Sequence, residues 1–168
     1  MHNELTKIDL EKMQQELDYR RITLRPQLLE EVKVARAFGD LSENFEYKAA
    51  KREKNRNDSR IRFLENMIKT ARVYEDKSDA GTIGLYDKVT LWLPEDEEEE
   101  VWQIVTTVRQ DPLHGLISKE SPVGKALLGR KEGERVEVVV SDTMSYFVEI
   151  RKVTKAKEDD ASLEIRGY

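Results

Sequence analysis

Apolar side chains recur at helical intervals through the first seventy residues. Leu10, Met13, Leu17, Leu24, Leu28, Val32 and Ala35 follow one another at spacings of three, four or seven, on one face of a helix. After Gly39 the series Tyr47, Ala50, Lys54, Asn57, Ile61, Leu64, Ile68 and Ala71 alternates threes and fours without a slip. That is an a/d seam with two polar members. Two long helices with matched stripes and a single break predict an antiparallel α-helical coiled-coil hairpin over residues 1–77, its tip near 38–46. Arms of about thirty residues, rising 1.5 Å each, make a rod roughly 45 Å long. Pro26 falls inside the first arm, where the missing N–H predicts a kink. Lys54 and Asn57 meet mid-stem and read as surface polarity at an imperfect seam.

Beyond Ser78-Asp79-Ala80-Gly81 the period shortens. Asp87 to Leu93 alternates as a strand does, with Val89, Leu91 and Leu93 on one face. Pro94 and the acidic run Glu95 to Glu100 predict a turn, and Val101 to Val108 a second strand. Ser121 suits a helix N-cap, Pro122 the first helical position and Gly129 the position past the end, so residues 121–129 predict one short helix. Glu134 to Val140 and Tyr146 to Val153 alternate again across a loop at Ser141 to Ser145. Residues 78–168 are therefore expected to form a small α+β domain whose charged tail frays from Lys155 onward.

Charge refines this division. The 168 residues carry a net charge of −5, 38% are charged, and mean hydropathy is −0.71, which suits thin elements with little interior. Residues 1–77 hold 17 Lys and Arg against 15 Asp and Glu; residues 78–168 hold 12 against 19. Neither half has the basic excess of a general duplex-DNA binder, so free duplex DNA is not an expected partner. Absent cysteine excludes disulfides and thiolate chemistry, and two separated histidines, His2 and His114, make no zinc site. No run is apolar enough to span a bilayer, and a cytoplasmic monomer is expected.

The tip holds the most informative stretch, Ala35 to Ala50. Asp40 with Glu43 three residues on has the spacing of a capping box for the second helix, after a stop at Gly39. The same two carboxylates lie at the far end of a narrow rod, where they serve no core. Their spacing lets them share a hard cation, although two carboxylates alone hold Mg²⁺ weakly and need ligands from a partner. From Lys48 to Arg62 seven basic residues stand against Glu53 and Asp58, which reads either as a solvated face or as attraction to a nucleic-acid strand.

These residues resemble the bacterial transcript cleavage factor family. The resemblance is carried by Ala35-Arg36, by Gly39-Asp40-Leu41-Ser42-Glu43-Asn44 with Glu46-Tyr47, and by Ala49-Ala50-Lys51. A second motif runs from Ile117-Ser118 through Ser121-Pro122-Val123-Gly124-Lys125-Ala126-Leu127-Leu128-Gly129 to Gly133. Together they span most of residues 5–153. The resemblance implies a coiled-coil hairpin followed by an FKBP-like domain. It implies that the hairpin enters the secondary channel of bacterial RNA polymerase and stimulates the polymerase to cleave the nascent RNA 3′ end in backtracked complexes. Asp40 and Glu43 match the acidic pair that helps hold the second Mg²⁺ of the polymerase site, with Ser42 as a neighbour in the water or metal shell. Arg36, Asn44, Lys48, Lys51 and Arg52 are then candidate contacts for RNA or polymerase, and Ser121 and Pro122 for the channel rim. Such a protein is an accessory factor, not an enzyme by itself, and peptidyl-prolyl isomerase activity does not follow from the fold.

Three places depart from the family pattern. Phe45 replaces a small residue, Val105 to Asp111 lacks a glycine and an acidic-alanine pair, and Ser141 to Ser145 replaces a proline-containing turn. They leave two other functions to weigh: a secondary-channel inhibitor, and a coiled-coil adaptor without a polymerase role.

Overall fold

The computed structural model describes residues 4–39, 43–156 and 164–166. The chain forms two compact units: Asp9–Ala71, and the described residues of Met1–Ile8 together with those of Arg72–Tyr168.

The first unit is the helical hairpin. Helix α1 (Lys7–Asp18) runs into a π-helical segment, Tyr19–Leu24, and then into α2 (Arg25–Arg36); α3 (Phe45–Thr70) returns. The arms are antiparallel, because bonded partners converge in number toward the tip: Glu16 with Arg60, Arg20 with Asn57, Ala35 with Asn44. Every position of the expected seam is buried or half-buried, and between residues 21 and 34 only Leu24, Leu28 and Val32 escape full exposure. A seam this narrow shields a stripe and leaves the rest charged and wet.

Mid-stem polarity is not at the surface. Asn57 is only 3% exposed. Its Oδ1 accepts from the Arg20 guanidinium at 3.0 Å, and its Nδ2 donates to the Arg20 carbonyl at 3.2 Å. Glu16 accepts from both Arg20 and Arg60 at 2.8 Å. These bonds satisfy the buried amide, which otherwise would carry the full desolvation penalty.

Pro26 is accommodated by the π-helical segment just before it. The N–H of Arg25 reaches back five residues to the Arg20 carbonyl, so the helix continues without a break into α2 and its widened turn falls immediately before Pro26. Where a kink was expected, the structure shows a widened, π-helical stretch at Tyr19–Leu24.

In the second unit β1 (Glu4–Leu5) pairs in parallel with β2 (Arg72–Val73). A five-stranded sheet follows in the order β5-β4-β3-β7-β6, from β3 (Lys88–Leu93), β4 (Glu98–Val105), β5 (Leu116–Ser118), β6 (Arg135–Ser141) and β7 (Met144–Thr154). β4 and β5 are parallel and the other neighbours antiparallel. Helix α4 (Pro122–Leu127) packs on β6. Val89, Leu91, Ile104, Val105, Leu127, Val138 and Val148 are fully buried between helix and sheet. This is the small α+β domain expected for the second half.

Several expected boundaries shift for physical reasons. The division falls after Ala71, not after residue 77, because pairing with β2 draws the chain's first strand into the second unit. The acidic run is only partly a turn: Glu97 takes a left-handed φ of 52°, and Glu98, Glu99 and Glu100 pair with Leu93, Trp92 and Leu91. The loop expected at Ser141 to Ser145 contracts to a turn at Asp142 and Thr143. Val101 to Val108 ends as a strand at Val105, and Thr107–Arg109 forms a 3₁₀ turn.

Lys155 and Ala156, where fraying was expected to begin, are held in place, while residues 157–163 and 167–168 of the expected tail lie outside the described residues. Lys155 Nζ lies 2.5 Å from the buried Asp87 carboxylate, which also accepts from the Ala156 N–H at 2.7 Å. Farther on, Arg166 pairs with Asp111 at 3.1 Å. Among the described residues no helix is long and apolar enough to cross a membrane.

Candidate functional site

The hairpin turn is built by Asn44. Its Oδ1 accepts from the Tyr47 N–H at 2.9 Å, capping α3, while its Nδ2 donates to the Ala35 carbonyl at 2.7 Å. One amide thus satisfies an orphan donor of one helix and an orphan acceptor of the other. The expected capping box at Asp40 and Glu43 is therefore not what starts α3; the helix begins one residue after Asn44. Gly39 ends the first arm with φ of 136°, a conformation that side chains other than glycine rarely adopt.

Glu43 is exposed in the turn. Among the described residues its carboxylate has no ion-pair partner. Asp40 and Ser42 lie outside the described residues. Among those that are described, no group of three or more His, Cys, Asp or Glu could hold a metal ion. One exposed carboxylate supplies too few oxygen ligands to hold a hard cation by itself.

Basic and aromatic side chains surround the turn. Arg36 Cζ lies 5.5 Å from the centre of the Tyr47 ring and donates to its hydroxyl across a long 3.5 Å; Lys51 Nζ lies 5.9 Å from the same ring. The Arg36 hydrogen bond, aided by the Lys51 charge, holds the Tyr47 phenol below its ordinary 10.0. Lys48 sits 5.8 Å over Phe45, which is 80% exposed. Farther down α3, Lys54 pairs with Asp58, Arg56 with Glu53 and Arg60 with Glu16. Lys48, Lys51 and Arg52 are exposed and, among the described residues, have no carboxylate partner. Three of the stem's four cations in this run are thus paired with carboxylates, Arg62 donating to the Ser59 hydroxyl instead, whereas those near the tip are left charged. From sequence Tyr47 was read as a seam and motif position only, and Phe38 was not singled out, although basic and aromatic residues interleaved from Arg36 to Lys51 carry that signal.

Ser121 and Pro122 lie in the other unit. The Ser121 hydroxyl donates to the Ser118 carbonyl at 2.7 Å and accepts from the Gly124 N–H at 3.0 Å. Pro122, at the first helical position, is exposed. A Cβ on Gly124 would stand 2.1 Å from the Ser118 carbonyl oxygen, so this motif needs glycine for α4 to approach the end of β5.

The chain matches the family described as Transcription elongation factor, N-terminal, over residues 3–73, and Transcription elongation factor, GreA/GreB, C-term, over residues 77–155. It belongs to the GreA/GreB family. Transcription elongation factor GreA of Geobacillus kaustophilus is 46% identical over 80% of this chain and 85% of its own length. GreA of Oenococcus oeni is 40% identical over 91% and 95%. Among solved structures, GreA factor homolog 1 (Gfh1) of Thermus thermophilus is 27% identical with a TM-score of 0.41, covering 90% of this chain and 98% of that one. In this member of the GreA/GreB family the tip cap, the exposed Glu43 and the uncompensated cations belong to one unit, and the Ser121–Pro122 motif to the other.

Proposed function

We propose that this protein stimulates transcript cleavage by RNA polymerase, its hairpin tip supplying carboxylates to a hydrolytic site that the polymerase otherwise builds. The observation carrying this reading is Glu43, an exposed carboxylate in the turn between two helices, relieved of capping by Asn44. The hairpin enters the secondary channel of a backtracked bacterial polymerase, in the cytoplasm. Asp40 and Glu43 then contribute oxygen ligands, with Ser42 beside them orienting water. In two-metal chemistry one ion activates the attacking water and the other stabilises the leaving oxygen; these residues would help hold the second Mg²⁺ of that pair. Arg36, Lys48, Lys51 and Arg52 attract the extruded RNA 3′ segment through its phosphates, without reading sequence. Asn44 ties the end of the first arm to the start of the second. Ser121 and Pro122 meet the channel rim.

In a cleavage assay on backtracked elongation complexes, Asp40→Ala and Glu43→Ala should each abolish stimulated cleavage while polymerase binding persists. Wild-type cleavage by both variants would overturn the proposal.

A further inference from the structure

The hairpin carries a second surface that the cleavage chemistry leaves unused. Beside the tip, a groove of about 480 Å³ is floored by Val34, Ala35 and Phe38 and rimmed by Glu30, Glu31 and Glu46. Val34 is 49% exposed and Phe38 71%, although the seam between the arms is already filled by Val32 and Ala35. Apolar side chains placed off the seam do nothing for the hairpin's own packing. The rim is acidic and poorly compensated: Glu30 meets Lys33 only at 3.9 Å in an exposed pair, and Glu31 and Glu46 have no ion-pair partner among the described residues.

The placement is one-sided. Around α3, at about 100° per residue, Glu46 lies about 70° to one side of the middle of the Tyr47–Ala50 seam and Lys51 about 70° to the other, with Lys48 and Arg52 farther round beyond Lys51. One flank of the tip thus attracts phosphates and the other repels them. Carboxylates around an apolar floor suit a polypeptide that presents an apolar side chain between cationic ones. The floor supplies contact area, and the rim supplies orientation and encounter rate.

We propose that this groove docks such a segment, an apolar side chain flanked by Lys or Arg, on the polymerase that the hairpin enters. The identity of the partner rests on the cleavage-factor reading; the chemistry of the segment rests on the groove. The hairpin is then held by protein along one flank and faces RNA along the other.

Titration of the full-length protein onto backtracked elongation complexes at low and moderate salt tests this. Glu30→Lys/Glu31→Lys should bind roughly tenfold more weakly at low salt, with the deficit shrinking as ionic strength rises. Val34→Asp should bind roughly tenfold more weakly at both salt concentrations. All three positions are exposed, and helical circular dichroism verifies that each variant folds. At saturating concentration both variants should cleave as the wild type does. Unimpaired binding by both, beside a wild type that binds and cleaves, overturns the groove alone. A wild type that does not bind polymerase overturns the cleavage reading and the groove's partner with it. A wild-type dimer in sedimentation that Val34→Asp dissociates, with polymerase affinity unchanged, reassigns the groove to a second copy of the chain and overturns the proposal.

Discussion

Asn44 does two jobs with one amide, and losing it should cost both. Asn44→Ala removes the N-cap bond to Tyr47 and the cross-arm bond to Ala35. Caps and buried hydrogen bonds each contribute about 1 kcal/mol, so the hairpin should lose about 2 kcal/mol, read as a lower helical melting temperature. Gly124 is a second such point. Alanine there would press on the Ser118 carbonyl, a main-chain group with little room to move, and overpacking of this kind costs about 1–3 kcal/mol. Tryptophan fluorescence reads it cleanly, since Trp92 and Trp102 are the chain's two tryptophans and both lie in the second unit. At this scale the sequence was only partly legible. Asp40–Glu43 has the spacing of a capping box, yet the adjacent Asn44 caps the helix and bonds the other arm as well. Asn57 looked like a flaw in the seam, and its partner is a main-chain carbonyl that no spacing rule reveals.

Among elements, the seam was readable almost position by position, because its period is local. The π-helical segment was not, since proline announces a disturbance without specifying its form. That segment sits beside a charged network. Burial raises the Glu16 pKa, but hydrogen bonds from Arg60 and Arg20 outweigh it and leave the carboxyl below its ordinary 4.5. Asp58 behaves alike: burial raises it, and Lys54 and Arg25 bring it below 3.8. Each carboxyl is more acidic folded than unfolded, so the stabilisation is complete above the ordinary values and lost as pH falls through the folded ones. Helical melting temperature should therefore drop on acidification below about pH 4.5, and Glu16→Gln should flatten the early part of that drop. An unchanged acid profile in Glu16→Gln would show that the network is not responsible.

For the whole molecule, the two-part division was legible from the change of period, but its boundary was not. Two-residue strands leave no periodic trace, and β1 is paired with a segment on the far side of the entire hairpin. Leu5 is fully buried, its carbonyl accepts from the Tyr74 N–H at 2.8 Å, and Glu4 pairs with Lys119. Deleting residues 1–5 should therefore lower the melting temperature seen by tryptophan fluorescence, although the deletion lies at the opposite end of the chain from the sheet. A shift confined to the helical signal would contradict the assignment of β1 to the second unit.

The β1–β2 pairing also bears on the order of assembly. The Asn44–Ala35 bond closes a loop of only nine residues, so the hairpin can zip from its tip at small entropic expense. Glu4 and Arg72 are far apart along the chain, and free encounter between them would be slow. A closed hairpin brings the two flanking segments together and raises their effective concentration, so that pairing becomes an intramolecular event. The hairpin is then a folding template for the unit it interrupts, and a tip that zips slowly should delay a strand some thirty residues away.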